Sequence, residues 1–224
     1  MAVDDRDAFP DEFFVFVTTK HPVVLWNVDR MKNIYSAAAA AYATDESFRQ
    51  GYDAGEDEWL PFIPNPSYSG PLSWQTLRTT TNYRVEYHAE TVRRRGFRTA
   101  PSRLSAVFAW GSLEEAREAA SQPGGRYKGK PLKRCLLRGP PLRALRANSN
   151  VIPLARSLEA EGALTPELVE SIWSTYWSGS GERVGFNAVS SSDLTSRQDN
   201  WSRDDPLWEW LLDASLDVIE DVPS

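Results

Sequence analysis

The chain has 224 residues, of which 41% are hydrophobic and 25% are charged, as in soluble globular proteins. Its 12% aromatic content, with nine Trp, excludes an intrinsically disordered chain. No apolar run reaches the roughly 18–20 residues of a membrane span, and the acidic start lacks the basic region of a signal peptide. We therefore expect a cytoplasmic protein without a membrane segment. One cysteine and two histidines exclude a disulfide framework and an ordinary structural zinc site.

The charge is unevenly distributed along the sequence. The net charge is −6, yet residues 84–146 hold 15 Lys or Arg against five Glu, a local balance of +10 that leaves −16 for the rest. This pattern favours an anionic ligand, such as a dinucleotide or a nucleic acid, or ion pairs between the basic middle and the acidic ends. For a polyanion, the candidate binding face consists of Arg93, Arg94, Arg95, Arg98 and Arg103.

Strand and helix patterns alternate in the first half of the chain. The apolar run 13–18 predicts a buried strand, and 23–26 a second short strand. The Ala-rich segment 31–42 predicts a helix, followed by a further turn or two over 45–51. Four prolines predict an aromatic loop over 58–76. A strand or helix start at 77 leads into a helix that ends at Gly96, predicted as its C′ residue.

The second half begins with a strand predicted over 101–110. Ser112 and Glu115 form a capping box that opens a helix to about residue 122. A strand follows over 132–137, and Thr165 with Pro166 predicts the start of a helix that continues to Trp177. Two further segments complete the chain: a polar loop at 178–205 and, at 207–222, one or two strands or a helix followed by a strand. The interleaved elements predict mixed α and β structure in a single domain.

Several mechanisms are excluded by missing motifs. The chain has no phosphate-binding G-x-x-x-x-G-K-[ST] loop, no G-x-G-x-x-G, no H-E-x-x-H and no G-x-S-x-G. A Ser–His triad is not favoured with only two histidines, and Cys135 within a predicted strand is interpreted as a buried structural thiol. The remaining carboxylates, arginines, hydroxyls and aromatics suit chemistry in which a bound cofactor carries the reactivity.

One stretch combines several motifs in a fixed order. YRVEYHAETVRRRGFRTAPSRLSAVFAWGSLEEAREAA (83–120) contains E-x-V-R, P-S-R, an apolar strand and an E-E-A helix. FFVFVTTKHP precedes it, and TYWSG and WEWLLDASLDVIEDV follow it. In this order the segments resemble a bacterial domain family of unknown function that is grouped with the ADP-ribosyltransferase-like fold.

The resemblance implies a single α+β domain over 1–224, in which two small twisted sheets with flanking helices hold NAD in the cleft between them. The P-S-R match then places Ser102 and Arg103 at this cleft, with Arg103 as a candidate ligand of the pyrophosphate. The Y-W-x-G match places Tyr176 and Trp177 near the nicotinamide. The closing E-[IL]-L match makes Glu209 the catalytic carboxylate.

Two positions depart from the family pattern. Val15 stands in the opening strand where family members have His, so Thr18 or Thr19 replaces the ribose anchor, or Arg84 supplies it from a different register. Leu207 stands two residues before Glu209, where transferases that modify arginine or guanine have Glu or Gln. The ADP-ribose acceptor is therefore not predicted.

The resemblance implies an NAD-dependent mono-ADP-ribosyltransferase or NAD glycohydrolase, with NAD as substrate and a macromolecular acceptor, protein or nucleic acid. Cleavage of the nicotinamide–ribose bond passes through an oxocarbenium-like state that a carboxylate stabilises. The alternative is a non-catalytic nucleotide- or nucleic-acid-binding module on a degenerate transferase fold, and a third hypothesis is an inert protein that binds partners through 58–76. In a transferase, the 178–205 loop contacts the acceptor, and Phe186 and Trp201 are predicted to pack back onto the domain.

Overall fold

Two antiparallel sheets form the centre of the fold in the computed structural model, which describes residues 9–18, 22–57, 74–122, 127–181 and 206–223. The four-stranded sheet has, in spatial order, β1 (Glu12–Phe16), β4 (Leu132–Leu137), β7 (Ser215–Val222) and β2 (Asn33–Tyr35). The three-stranded sheet has, in spatial order, β3 (Val107–Ala109), β6 (Trp208–Asp213) and β5 (Arg143–Asn148). An isolated bridge between Phe14 and Trp110 connects the two sheets.

Helices surround the sheets. In chain order they are α1 (Pro22–Leu25), which continues as a π-helical turn (Trp26–Arg30), α2 (Ala37–Thr44), α3 (Glu46–Asp53), α4 (Trp74–Gly96), α5 (Leu113–Ser121), α6 (Val151–Ala160) and α7 (Pro166–Ser178). Side chains cap four of them at the N-terminus, because Ser36, Asp45, Ser112 and Thr165 each accept a backbone N–H three residues ahead. No helix in the described ranges is long and apolar enough to cross a membrane.

The alternation of side chains along β6 shows how the layers are arranged. Trp210 and Leu212 lie in an apolar cluster with Phe13 and Val15 of β1, so one face of the three-stranded sheet packs on the four-stranded sheet. Leu211 lies on the opposite face and packs with side chains of α4, α6 and α7. A third cluster, which includes Phe14, Trp110 and Ala116, packs α5 on the outer face of the four-stranded sheet.

The mixed α+β class and the two small sheets confirm the sequence prediction at this level. The strand at 132–137 has the predicted bounds, and the closing segment forms two strands, β6 and β7. Both predicted helix starts are also confirmed: Ser112 Oγ accepts the N–H of Glu115 at 3.1 Å, and Thr165 Oγ1 accepts that of Leu168 at 3.3 Å.

Three local predictions are wrong. Residues 22–25 form a helical turn rather than a strand, because Pro22 opens it with a backbone angle suited to a helix. The predicted helix at 31–42 is divided, since Asn33–Tyr35 pairs with β7 and Ser36 then caps α2. Gly96 is the last residue of α4 and lacks the positive φ of a C′ glycine.

Two elements that the sequence did not predict, β5 and α6, lie between residues 138 and 164. The predicted 58–76 loop ends earlier than expected, because α4 begins at Trp74. Its remaining residues, 58–73, lie outside the described ranges. So do residues 182–205, with Phe186 and Trp201, and the predictions made for them stay predictions.

Candidate functional site

Three polar residues share the face of α4 that is directed into the protein. Glu86, Glu90 and Arg93 follow the i, i+4, i+7 spacing of one helix face. Glu90 and Arg93 are only 1% exposed. Buried charges require partners, and these residues find them in two separate groups of side chains.

The first group, which we call the Glu209 cluster, consists of Glu86, Arg103, Tyr176 and Glu209. Tyr176 donates its hydroxyl to Glu209 Oε1 at 2.7 Å, and Arg103 Nη1 donates to the same oxygen at 3.0 Å. Arg103 Nε donates to Glu86 Oε2 at 2.9 Å. The guanidinium of Arg103 also contacts the Tyr176 hydroxyl and lies 4.9 Å from the ring centroid of Phe108.

Each member of the Glu209 cluster is positioned by a different element. Glu209 is the second residue of β6 and, by alternation, lies on the face of Leu211, which is directed to the helices. Tyr176 lies in the last turn of α7. Arg103 lies in a turn between α4 and β3, where the carbonyl of Ser102 accepts the N–H groups of Ser105 and Ala106.

Three members of the Glu209 cluster are shielded from solvent, and the fourth, Glu86, has a side chain that is 19% exposed. Glu209 is 1% exposed, Tyr176 0% and Arg103 5%. Burial lowers the pKa of Arg103, but the charges of Glu86 and Glu209 outweigh this effect, so its pKa lies well above the ordinary value. Burial, with Glu209 beside it, raises the pKa of Tyr176 well above the ordinary value. Tyr176 is therefore a neutral hydrogen-bond donor at physiological pH.

Two residues carried over from the resemblance lie beside the Glu209 cluster. Ser102 is 1% exposed and donates its hydroxyl to Glu90 Oε2 at 2.8 Å. Trp177 donates its indole N–H to the carbonyl of Ala89 at 2.9 Å and packs edge-on against Tyr176. Ser102 thus connects the turn after α4 to that helix, and Trp177 connects α7 to α4.

The structure does not bring the other two carried-over residues to the cluster. Arg84 forms an ion pair with Glu159 of α6, and its offset of two residues from Glu86 places it on the other side of α4. Thr18 is exposed and lies two residues beyond the end of β1, which belongs to the four-stranded sheet. The donors of Arg103, expected to reach a pyrophosphate, are directed at Glu86 and Glu209.

The space between the two sheets is apolar. Val15, the residue in place of the family's His, is 4% exposed there and packs in the cluster that contains Phe13, Trp210 and Leu212. Val15 and Glu209 therefore lie on opposite sides of the three-stranded sheet. An NAD site between the sheets, as the resemblance implied, is occupied by these apolar side chains.

The second buried group, which we call the Asp213 network, was missed by sequence reasoning. It consists of Tyr52, Asp57, Glu90, Arg93, Arg143 and Asp213. Arg93 donates to Glu90 Oε1 at 2.7 Å and to Asp57 Oδ2 at 3.2 Å. Arg143 donates to Asp57 Oδ1 at 3.0 Å. Only the E-x-V-R spacing, which pairs Glu90 with Arg93 on one helix face, gave a sequence signal for it.

Much of the basic middle of the sequence is neutralised by ion pairs. Arg93 and Arg103 are buried in the two groups above and do not line a surface. Within the described ranges, at least nine basic residues between 84 and 146 form ion pairs to carboxylates: Arg84, Arg93, Arg95, Arg103, Lys133, Arg134, Arg138, Arg143 and Arg146. The described structure thus favours internal charge pairing over a polyanion-binding face.

A surface groove of about 660 Å³ lies elsewhere, along β1, the start of α5 and the end of β7. No member of the Glu209 cluster lines it. Its lining includes Arg134, which forms ion pairs with Glu12 at 2.9 Å and with Glu220 at 2.7 Å. In the described ranges, no group of His, Cys, Asp and Glu has the arrangement of a metal site.

Comparison with known proteins adds no assignment. No protein-family model matches the chain, and no curated protein matches it significantly.

Proposed function

We propose that the protein cleaves the nicotinamide–ribose bond of NAD, as a mono-ADP-ribosyltransferase or NAD glycohydrolase, with Glu209 as the catalytic carboxylate. The observation that carries the proposal is the way in which Glu209 is held. Tyr176 and Arg103 both donate to Oε1, and no hydrogen bond of the described residues reaches Oε2. A carboxylate fixed through one oxygen leaves the other for a ribose hydroxyl.

The charge of Glu209 supports this chemistry. Glu209 is buried in surroundings of low dielectric constant, where its carboxylate stabilises positive charge that develops on the ribose as nicotinamide leaves. The same carboxylate attracts the cationic nicotinamide ring of the substrate.

The arrangement of the sheets agrees with the resemblance in part. The resemblance implied two small sheets with flanking helices, and the described residues form two such sheets, although apolar side chains fill the space between them. It also assigned functions to Arg103, Tyr176 and Glu209, which are far apart in the sequence and within hydrogen-bond distance in the structure. An ADP-ribosyltransferase-like fold is accordingly part of the proposal.

The proposal requires that the ribose reach Glu209 from one direction. Apolar side chains fill the side of the three-stranded sheet that faces the other sheet, and α4 and α7 pack on the opposite side. Glu209 is the second residue of β6. NAD therefore enters at the end of the sheet where β6 begins, and the acceptor, protein or nucleic acid, approaches from the same end.

The test is release of nicotinamide from NAD by wild type, Glu209→Gln and Glu220→Gln. Glu220 is the matched control, because it is an exposed glutamate of β7 outside the Glu209 cluster. We expect Glu209→Gln to lower the rate by about 100-fold or more, as for loss of one transition-state-stabilising group, and Glu220→Gln to leave it unchanged. Equal rates in wild type and Glu209→Gln contradict the assignment.

A non-catalytic nucleotide- or nucleic-acid-binding module is the second candidate, and the burial of Glu209 favours it. A carboxylate that is 1% exposed and paired with Arg103 is also a sound structural element. On this reading, wild type releases no nicotinamide, while NAD or an oligonucleotide raises its melting temperature through binding to the folded state. The two candidates thus differ in one measurable product.

A further inference from the structure

Asp213, the last residue of β6, differs from the other carboxyl groups of the Asp213 network because it accepts no hydrogen bond from an arginine of the described ranges. It is 0% exposed. Its Oδ2 accepts the hydroxyl of Tyr52 at 2.6 Å, and its Oδ1 is buried without a hydrogen-bond partner. A buried carboxylate in this situation is costly, because a single hydrogen bond from a neutral phenol replaces its contacts with water.

The two arginines of the network are committed to other carboxylates. Asp57 accepts from Arg143 through Oδ1 and from Arg93 through Oδ2. Glu90 accepts from Arg93 through both oxygens and from Ser102 through Oε2. Two guanidinium groups thus balance two carboxylates, and the third acid, Asp213, is left with a neutral phenol.

We propose that Asp213 holds a proton in the folded protein at mildly acidic pH and acts as a pH-sensitive clasp, whose ionisation weakens the docking of α3 on the three-stranded sheet. Tyr52 is the only buried residue of α3, so the contact that senses the charge of Asp213 is also the contact that anchors the helix. The guanidinium of Arg143 covers the ring of Tyr52 at 3.5 Å and donates to its backbone carbonyl.

The charged and titratable groups that face Asp213 come from each element packed around it: Tyr52 from α3, Asp57 from the segment after α3, Arg93 from α4 and Arg143 from β5. Burial raises the pKa of Asp213 to about 6, and the charge of Asp57 acts in the same direction. The Tyr52 hydrogen bond and the two arginines oppose the rise without cancelling it.

The direction of the pH dependence follows from proton linkage. The unfolded chain has an ordinary Asp pKa of about 3.9, below that of the folded protein, so the folded state binds the proton more tightly. The stability contributed by protonated Asp213 is complete below the unfolded-state pKa of about 3.9 and is lost as the pH rises through the folded-state pKa of about 6. The difference in pKa corresponds to an unfolding constant about 100-fold larger above this range than below it.

The test compares urea unfolding of wild type, Asp213→Asn and Asp53→Asn across this pH range. Asp53 is the control, because it is an exposed carboxylate at the end of the same helix. We expect wild type and Asp53→Asn to lose stability together as the pH rises, and Asp213→Asn, which mimics the neutral acid, to lose about 100-fold less in the unfolding constant. Parallel pH profiles of wild type and Asp213→Asn overturn the proposal.

A second measurement, made on the wild-type protein, tests the proposal even if the Asp213→Asn variant fails to fold. The side-chain carboxyl ¹³C resonance of Asp213 is followed against pH in the wild-type protein. A midpoint near pH 6 supports the clasp, whereas a midpoint at or below the ordinary value of about 3.9 overturns it. Neither readout requires NAD cleavage, so failure of the clasp and failure of the proposed enzyme activity are distinguishable.

Discussion

Arg103 and Glu209 are separated by 106 positions in the chain, and their side chains meet at 3.0 Å in the interior. Arg103 belongs to the turn that follows α4, and Glu209 to the start of β6. The ion pair therefore fastens the helix layer to the three-stranded sheet at the proposed catalytic carboxylate. The residues that contact this ion pair, Glu86 and Tyr176, affect both the stability of the junction and the chemistry available to Glu209.

Removal of Arg103 has a large predicted effect on stability. Arg103→Met preserves much of the apolar stem but leaves the buried carboxylate of Glu209 without its counter-charge. Breaking a buried ion pair in this way costs about 3–5 kcal/mol, measured as the free energy of unfolding in urea. Arg103→Lys is expected to recover only part of the loss, because an ammonium does not bridge two carboxylates as the guanidinium does.

Arg95 provides the matched comparison for Arg103. Its ion pair with Glu170 joins α4 to α7, with side chains that are 65% and 51% exposed. Exposed pairs contribute about 0–1 kcal/mol, so Arg95→Met is expected to remain near wild type. A loss for Arg103→Met no larger than that for Arg95→Met contradicts the stabilising role of the Glu209 cluster.

Tyr176→Phe removes the hydroxyl that donates to Glu209 and changes little else in volume. We expect a destabilisation of about 1–3 kcal/mol, because Glu209 Oε1 then lacks one of its two donors inside the protein. Tyr83→Phe, at a site that is 46% exposed, serves as the control and is expected to be neutral. If nicotinamide release is observed, Tyr176→Phe should also lower its rate.

Gly179 closes α7 with a left-handed backbone, at φ 64°. A Cβ at this position would lie 2.7 Å from the backbone carbonyl oxygen of Arg146 in β5. Gly179→Ala is therefore expected to cost more than the roughly 1–2 kcal/mol of left-handed strain alone. Gly51 lies within helix α3, and a Cβ added there would have no neighbouring atom within 4 Å. Gly51→Ala is therefore expected to stabilise the protein by about 0.5–1 kcal/mol. A neutral Gly179→Ala would show that the end of α7 shifts easily.

The ion pairs of the basic middle lead to a prediction on nucleic acids. Because at least nine basic residues in its described part already pair with carboxylates, we expect weak retention of duplex DNA or RNA at physiological salt. The measurement is a binding titration at several salt concentrations. Tight binding whose logarithm falls linearly with log salt would contradict this prediction and support the binding-module alternative.

Local signals in the sequence predicted a substantial part of the fold. The strand at 132–137 and the starts of α5 and α7 depend on neighbouring residues, such as the Ser112–Glu115 capping box. Residues 33–35 became a strand because β7 offers its backbone as a partner. Such long-range pairing is invisible in a local pattern.

Three of the four members of the candidate site were predicted from the sequence, whereas Glu86 and the geometry of the site were not. Motif resemblance singled out Arg103, Tyr176 and Glu209, which do meet in the structure. The Asp213 network was missed because Tyr52 and Asp213 are 161 positions apart and neither stands in a motif. Burial of Glu209 on the helix side of the sheet was equally beyond a local pattern, since it depends on how α4 and α7 pack.

The proposed function requires that NAD reach the carboxylate of Glu209. The most direct measurement is a titration of ¹³C-labelled protein with NAD, in which the Glu209 carboxyl resonance is assigned by its loss in Glu209→Gln. The proposed function predicts a saturable shift of this resonance, because a ribose hydroxyl donates to Oε2. A resonance that stays unchanged at saturating NAD, in a folded protein, would contradict a catalytic role for Glu209 and leave it as the buried partner of Arg103.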